Sequence, residues 1–99
     1  MNKQKVSNLL GLAQRAGKII SGEEMVVKAI QDRKVKLVFL AHDASPNLTK
    51  KIQDKSHYYQ VEVITVFSTL ELSIAVGKSR KVLAVTDAGF TKKMRSLMD

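Results

Sequence analysis

A chain of 99 residues, 44% hydrophobic and 26% charged, has the composition of one globular domain with a single apolar core, and no second domain to separate binding from chemistry. It holds no cysteine, which excludes disulfide staples, a thiol nucleophile and every cysteine-ligated zinc or iron–sulfur site. Seventeen Lys and Arg against nine Asp and Glu leave a formal charge of +8, a field that gathers polyanions and points to RNA, DNA or an anionic membrane surface as partner.

Aromatic residues make up 5% of the chain and Trp is absent, so recognition by stacking of single-stranded bases is disfavoured beside phosphate and groove contacts. Apolar runs such as Val82–Val85 fall far short of the ~20 residues that span a bilayer. The Met1 end is basic, but the segment after it is amphipathic rather than uniformly apolar, so secretion is not expected and the expected location is cytoplasmic.

The first periodic stretch runs from about Lys5 to Ala16 and places Val6, Leu9, Leu10, Leu12 and Ala13 on one helical face, with Gly17 where a terminating glycine belongs. Lys18-Ile19-Ile20 reads as a short strand. Ser21-Gly22 then turns into a second amphipathic helix, Glu23 to about Asp32, with Met25, Val26, Ala29 and Ile30 inward and two carboxylates in its first turn. Val35 to Ala41 reads as a buried strand. Ser45-Pro46 forms a cap and first-turn pair for a polar third helix, Asn47 to about Tyr58. Val61 to Phe67 alternates as a strand does, and Ser68-Thr69-Leu70-Glu71 has the spacing of a capping box for a short helix from Thr69 to near Gly77. Val82 to Thr86 is a further buried strand, and Phe90 to Met98 a final basic helix. The pattern predicts an α/β fold of one domain, residues 1–99: a three-layer α/β/α sandwich around a four-stranded mixed sheet, with helices on both faces and parallel pairing predominant.

No catalytic constellation emerges. His42, Asp43 and Ser45 share one loop, yet adjacent positions do not set three side chains in series, and helix capping by Asp43 or Ser45 is the simpler role. His57-Tyr58-Tyr59 reads as a helix end with a half-buried Tyr. Gly77-Lys78-Ser79 resembles the tail of a phosphate loop but lacks its upstream glycine and follows a helix. No metal-ligand spacing is present, and no cofactor is expected.

The cations are more telling by position. Arg15, Lys18 and Lys28 are read as clustering around the start of the second helix, where Gly22 permits close backbone approach and the N–H groups of Glu23, Glu24 and Met25 point outward, a docking point for phosphate or base edges. Glu23 and Glu24 suit such a site if one of them accepts from a base amino group. The clusters Arg33-Lys34-Lys36 and Lys92-Lys93-Arg95 are read as solvated faces.

Leu9-Leu10-Gly11-Leu12-Ala13, Gly17-Lys18-Ile19-Ile20-Ser21-Gly22-Glu23-Glu24 through Lys28-Ala29, and Leu40-Ala41-His42-Asp43-Ala44-Ser45-Pro46 together resemble the kink-turn RNA-binding ribosomal proteins of the L-seven-Ae and thirty-e type, most closely their small bacterial YlxQ-like branch. Glu71-Leu72-Ser73-Ile74-Ala75-Val76-Gly77 is similar to the family's Leu-Gly-x-Ala-x-Gly helix, so the likeness covers nearly the whole chain, carried by order and spacing rather than by one motif. The resemblance implies the same sandwich, and binding to a sharply bent RNA stacked on tandem sheared G·A pairs. It places Gly22, Glu23, Glu24 and Lys28 at the RNA with Lys18 and Ser21 beside them. It also implies a second contact at Val66, Phe67, Ser68 and Thr69, an apolar and small polar surface for flipped-out nucleotides. Where the family carries Gly-x-Asn-Glu-x-x-Lys, this chain has Gly22-Glu23-Glu24-Met25-Val26-Val27-Lys28, so Glu24 stands for Asn and Met25 for Glu.

The expectation is therefore a non-enzymatic, ribosomal-protein-like binder of structured RNA, ribosomal RNA included, with ribonucleoprotein association and no membrane contact. The alternatives are a protein or small-ligand interaction module with a generic basic surface, or an enzyme acting on RNA.

Overall fold

In the computed structural model, which describes residues 1–98, nine elements follow one another. They are α1 (Lys3–Arg15), β1 (Ile19–Ser21), α2 (Glu23–Gln31), β2 (Leu37–Leu40), α3 (Pro46–Tyr59), β3 (Glu62–Ile64), α4 (Thr69–Val76), β4 (Val82–Val85) and α5 (Ala88–Met98). Short polar side chains fix most of the helix starts. Asn2 accepts from the Lys5 N–H at 3.1 Å, which starts α1 ahead of its apolar periodicity. Ser45 accepts from the Leu48 N–H at 3.2 Å, with Pro46 in the first turn of α3. Ser68 and Glu71 close the expected capping box on α4. Asp87 accepts from the Phe90 N–H at 2.9 Å and begins α5 before Phe90.

The strands lie in the order β1-β4-β2-β3. Contrary to the expected parallel predominance, only β2 and β3 run parallel, while β4 is antiparallel to both β1 and β2. The cause lies in the link that follows α4. Gly77 ends that helix in the left-handed region at φ 78°. The Ser73 hydroxyl then accepts from the Arg80 N–H at 3.0 Å and donates to the Arg80 carbonyl at 3.3 Å. The chain is thereby folded back along the helix and enters the sheet from the end at which β3 left it. Strand β3 is also shorter than its alternating pattern, because residues 65–68 leave the ladder as a loop.

Two apolar layers cover the sheet. Leu37, Phe39, Leu83 and Val85 face α1, α4 and α5, with Val6, Leu10, Ala13, Leu72 and Met94 among the buried side chains. Val38, Leu40, Val82 and Ala84 face α2 and α3, meeting Val26, Val27, Ile30 and Ile52. The three-layer sandwich follows from this alternation, since successive residues of a strand point to opposite faces.

Two residues expected inside are outside: Leu12 is 49% and Met25 57% exposed. Gly11 crosses α4 so closely that an added Cβ would lie 3.0 Å from the Ala75 carbonyl oxygen. That contact turns the Gly11 side of α1 inward and leaves Leu12 at the rim. On α2 the buried positions are Val26, Val27, Ala29 and Ile30, and Met25 projects from the first turn.

Candidate functional site

The register brings four chain segments to one end of the sheet. Ser21 pairs with Leu83 and Leu40 with Val82, and β3 runs parallel to β2. The residues after β1, after β2 and after β3 therefore meet the residues before β4. Hydrogen bonds lace them together: Gly22 N–H to Val82 C=O at 3.2 Å, Ala41 N–H to Lys81 C=O at 2.8 Å, and His42 N–H to Phe67 C=O at 3.0 Å.

Gly22 opens α2 at φ 93° and ψ 149°, a backbone conformation that is essentially glycine's alone. Its carbonyl accepts from the Val26 N–H at 3.0 Å, so the helix starts at once. No side chain caps this end, and among the described residues the N–H groups of Glu23, Glu24 and Met25 have no acceptor. A Cβ built on Gly22 would meet nothing within 4 Å. The helix end is thus open, and the glycine is required by its dihedral angles rather than by crowding within the protein.

Around it runs a shallow cleft lined by Ser21, Gly22, Glu23, Arg80 and Lys81. Arg80 donates from Nε to the Ser21 hydroxyl at 2.8 Å and from Nη1 to the Ser79 carbonyl at 2.7 Å, which fixes its guanidinium beside the glycine. Glu23 is held by Lys51 at 3.0 Å. Glu24 is exposed and has no ion-pair partner among the described residues. Lys28, expected near the start of α2, lies instead in its last turn, with its side chain 72% exposed and, among the described residues, paired to Asp32 at 3.6 Å; the cations beside the helix start are Arg80, Lys81 and Lys51. An open helix N-terminus flanked by cations is favourable for a phosphate or another acceptor-rich group.

The second segment is the loop after β3, and a carboxylate anchors it. Asp43 accepts from the Thr69 N–H at 2.9 Å and from the Thr69 hydroxyl at 2.7 Å. These bonds, the hydroxyl first, hold the Asp43 carboxyl below its ordinary range. Glu71 accepts from the Ser68 N–H at 2.9 Å and meets Lys3 at 2.9 Å. The Ser68 backbone bond first, then Lys3, lowers the Glu71 carboxyl as well.

Phe67 departs from its expected role as a surface for nucleotides. It is 2% exposed and meets Phe39 edge-on, with ring centroids 5.8 Å apart. Its ring supports the loop from beneath, because β3 ends early and the loop dips into the core there. The open apolar surface comes from Val66 at 42% exposure and from Leu70 at 69%, with Ile74 one helical turn further. Ser68 and Thr69 are half-buried and committed to the cap and to Asp43.

Across the order β1-β4-β2-β3, the Gly22 turn and the Val66 loop lie three interstrand spacings apart, about 14 Å, with Arg80-Lys81 and His42-Asp43 between them. Lys18 does not belong to this group. It precedes β1, and its carbonyl accepts from the Thr86 N–H at 3.0 Å, which places it at the opposite end of the sheet. Arg15, in the last turn of α1 and beside Ala75, also lies away from Gly22. Their closeness to Gly22 in sequence misled because β1 carries the chain from one end of the sheet to the other.

The remaining sequence features take structural roles. Asp43 and Ser45 serve Thr69 and α3 respectively, Gly77 is the terminator of α4, and Tyr58 is 75% exposed at the end of α3. Among the described residues no group of three metal-ligating side chains comes together, and no helix is long and apolar enough to cross a membrane. Sequence reasoning missed Arg80, Lys81 and Lys51, which reach the Gly22 end only through the fold.

Known proteins resemble this chain in sequence and in fold. The chain is 49% identical over 98 residues to the RNA-binding protein YlxQ of Enterococcus faecium, covering 99% of this chain and 95% of that one. It is 50% identical over 92 residues to the RNA-binding protein YlxQ of Bacillus subtilis, covering 92% of each. The solved structure of a protein of unknown function from Bacillus halodurans C superposes with a TM-score of 0.90 at 46% identity, over 96% of this chain and 97% of that one. Residues 4–95 match the ribosomal protein L7Ae/L30e/S12e/Gadd45 family, and with the sandwich and the open glycine turn in place, the chain belongs to that family.

Proposed function

We propose that the protein binds structured RNA through this end of the sheet and selects a bent internal loop of kink-turn type. The observation that carries the reading is the uncapped α2 N-terminus at Gly22, open to solvent and flanked by Arg80 and Lys81. The names of its relatives support RNA as the ligand class. Gly22 and the first turn of α2 would lie in the groove of the bent RNA, with Ser21, Glu23 and Glu24 at base edges or sugar and Lys28 at the backbone. The Val66–Thr69 loop would receive an unstacked nucleotide on Val66 and Leu70, while Asp43 holds the loop in shape from behind. Ribosomal RNA is one source of such a structure.

The work done is binding rather than a chemical step. Contacts that exist only with the kinked RNA shift the equilibrium between straight and bent states by their differential free energy. Ionised, Glu24 accepts hydrogen bonds and cannot donate, where an amide does both, so base preference here differs from that of an Asn-bearing site.

The test compares a kink-turn RNA, its straight counterpart and an unrelated duplex at two salt concentrations. Preference for the kinked RNA that persists at the higher salt supports the reading. Equal, salt-labile affinity for all three would reduce it to general basic adhesion, and absence of binding would leave a protein or small-ligand partner.

A further inference from the structure

The opposite end of the sheet holds a second cationic surface built from the two clusters that the sequence presented as separate. The link from α2 to β2 supplies Arg33, Lys34 and Lys36, and α5 supplies Lys92 and Arg95. Together they line one concavity of about 330 Å³, with Asp87 the one carboxylate among its lining residues. That carboxylate is engaged in capping α5 through the Phe90 N–H. Among the described residues Arg33, Lys34, Lys36 and Lys92 form no ion pair.

Both guanidinium groups are held in place. Arg95 donates from Nε to Glu62 at 2.9 Å and from Nη2 to the Lys36 carbonyl at 3.2 Å. Arg33 lies over the Tyr59 ring, 5.1 Å from its centroid.

Arg33 also occupies an unusual backbone position. Its N–H bonds to the Ile30 carbonyl and that of Lys34 to the Ala29 carbonyl, the paired bonds that close a helix around a left-handed residue. Arg33 is that residue, at φ 58°, where glycine is the least strained choice. A strained, oriented arginine stands among unpaired lysines in a concave surface. Neighbouring like charges of this kind are relieved when a polyanion enters.

We infer that this concavity is a second RNA site, one that grips phosphodiester backbone without reading sequence, so that the protein holds two RNA segments at opposite ends of its sheet. Strand β4 separates the two ends, and from Lys81 to Thr86 the chain spans about 17 Å. The two surfaces lie at opposite ends of β4, so two RNA segments would approach them from opposite sides. The inference rests on the proposed RNA binding: charge complementarity asks for a polyanion, and the RNA-binding relatives favour RNA over an acidic protein, which would be the third outcome of the test below.

The test uses the triple variant Arg33→Gly, Lys34→Gln and Lys92→Gln, with a short labelled RNA duplex as probe and an unlabelled internal-loop RNA as blocker. Wild-type protein loaded with one equivalent of the internal-loop RNA, which fills the tighter Gly22 site and leaves no excess, is expected to capture the duplex in a ternary complex. The variant is expected to bind the duplex at least tenfold more weakly, with the slope of log affinity against log salt reduced by about two to three, as loss of three phosphate contacts requires. Its affinity for the internal-loop RNA should change less than about threefold. A thermal melt checks the fold, and Arg33→Gly alone is expected to leave the melting temperature equal or higher because it removes the left-handed strain.

Absence of a ternary complex, or equal duplex capture by the two proteins, would overturn the inference. Capture of an acidic peptide in place of the duplex would also overturn it. Failure of the Gly22 reading shows separately, as equal affinity for bent and straight RNA. Duplex binding that depends on Arg33, Lys34 and Lys92 would then still support the cavity.

Discussion

Replacing Gly22 by Ala separates backbone conformation from packing, because a methyl group there meets no atom within 4 Å while φ stays at 93° with ψ at 149°. Holding an alanine in that region costs about 1–3 kcal/mol. Stiffening of the unfolded chain returns about 0.4–1 kcal/mol. The net loss is about 1.5 kcal/mol, and for a domain of this length each kcal/mol moves the melting temperature by ~4–8 °C, so thermal or urea unfolding followed by circular dichroism should show a fall of about 6–12 °C.

An asparagine pair sharpens the test. Gly77 lies at φ 78° and ψ 14°, within the left-handed well that Asn tolerates, so Gly77→Asn should cost less than about 0.5 kcal/mol. Gly22→Asn should be as damaging as Gly22→Ala, because its ψ lies outside that well. To escape the strain, the chain must give up either the Gly22–Val82 bond or the first helical bond to Val26, and both movements re-aim the free N–H groups. Loss of one charge-assisted contact of ~1.5 kcal/mol weakens RNA binding about tenfold. Equal melting shifts for the two asparagine variants, or an unshifted Gly22→Ala protein, would refute the reasoning.

Lys28→Ala removes an exposed cation whose ion pair with Asp32 spans 3.6 Å, so stability should stay within about 0.5 kcal/mol while the salt slope of RNA binding falls by about one; an unchanged slope and affinity would remove Lys28 from the site. Glu24→Gln, measured across a panel of internal-loop sequences, should change their order of preference, and a uniform effect on every RNA would mean that the side chain reads no base. Asp43 and Glu71 both have lowered carboxyl pKa values in the fold, so their stabilisation is full above their unfolded values near pH 4 and is lost as pH falls below that through their folded values. Protection of the Ser68 and Thr69 amides from hydrogen exchange, corrected for the intrinsic rate at each pH, should fall in that acid range, and Asp43→Ala, which removes the accepting oxygen, should lower Thr69 protection at neutral pH; equal protection in the two proteins would show that Asp43 does not hold the loop.

The helices were legible in the sequence because each carries its own evidence. Val6, Leu10 and Ala13 repeat at helical spacing, and Ser45-Pro46 and Ser68-x-x-Glu71 mark their starts through bonds within three residues. The central strands were legible as apolar runs, since burial on both faces leaves no alternation to interpret. Strand direction was not legible, because it depends on how the link after Gly77 folds back along Ser73. For the same reason the site was only half visible. Gly22, Glu23, Glu24 and Lys28 are local to one helix, whereas Arg80 reaches Ser21 from 59 residues away and Asp43 reaches Thr69 from 26. Lys18 and Phe67 show the converse error, since proximity in sequence placed Lys18 at the wrong end of the sheet and an apolar residue in a loop proved to be core.

The most direct measurement is the pattern of backbone amide shifts when isotope-labelled protein is titrated with a kink-turn RNA. The largest changes are expected at Ser21–Glu24, at His42-Asp43, at the Val66–Thr69 loop and at Arg80-Lys81, all at one end of the sheet, with a further change at Lys28 in the last turn of α2. Changes that spare Gly22 and its first helical turn while other surfaces respond would contradict the assignment of RNA recognition to that helix end.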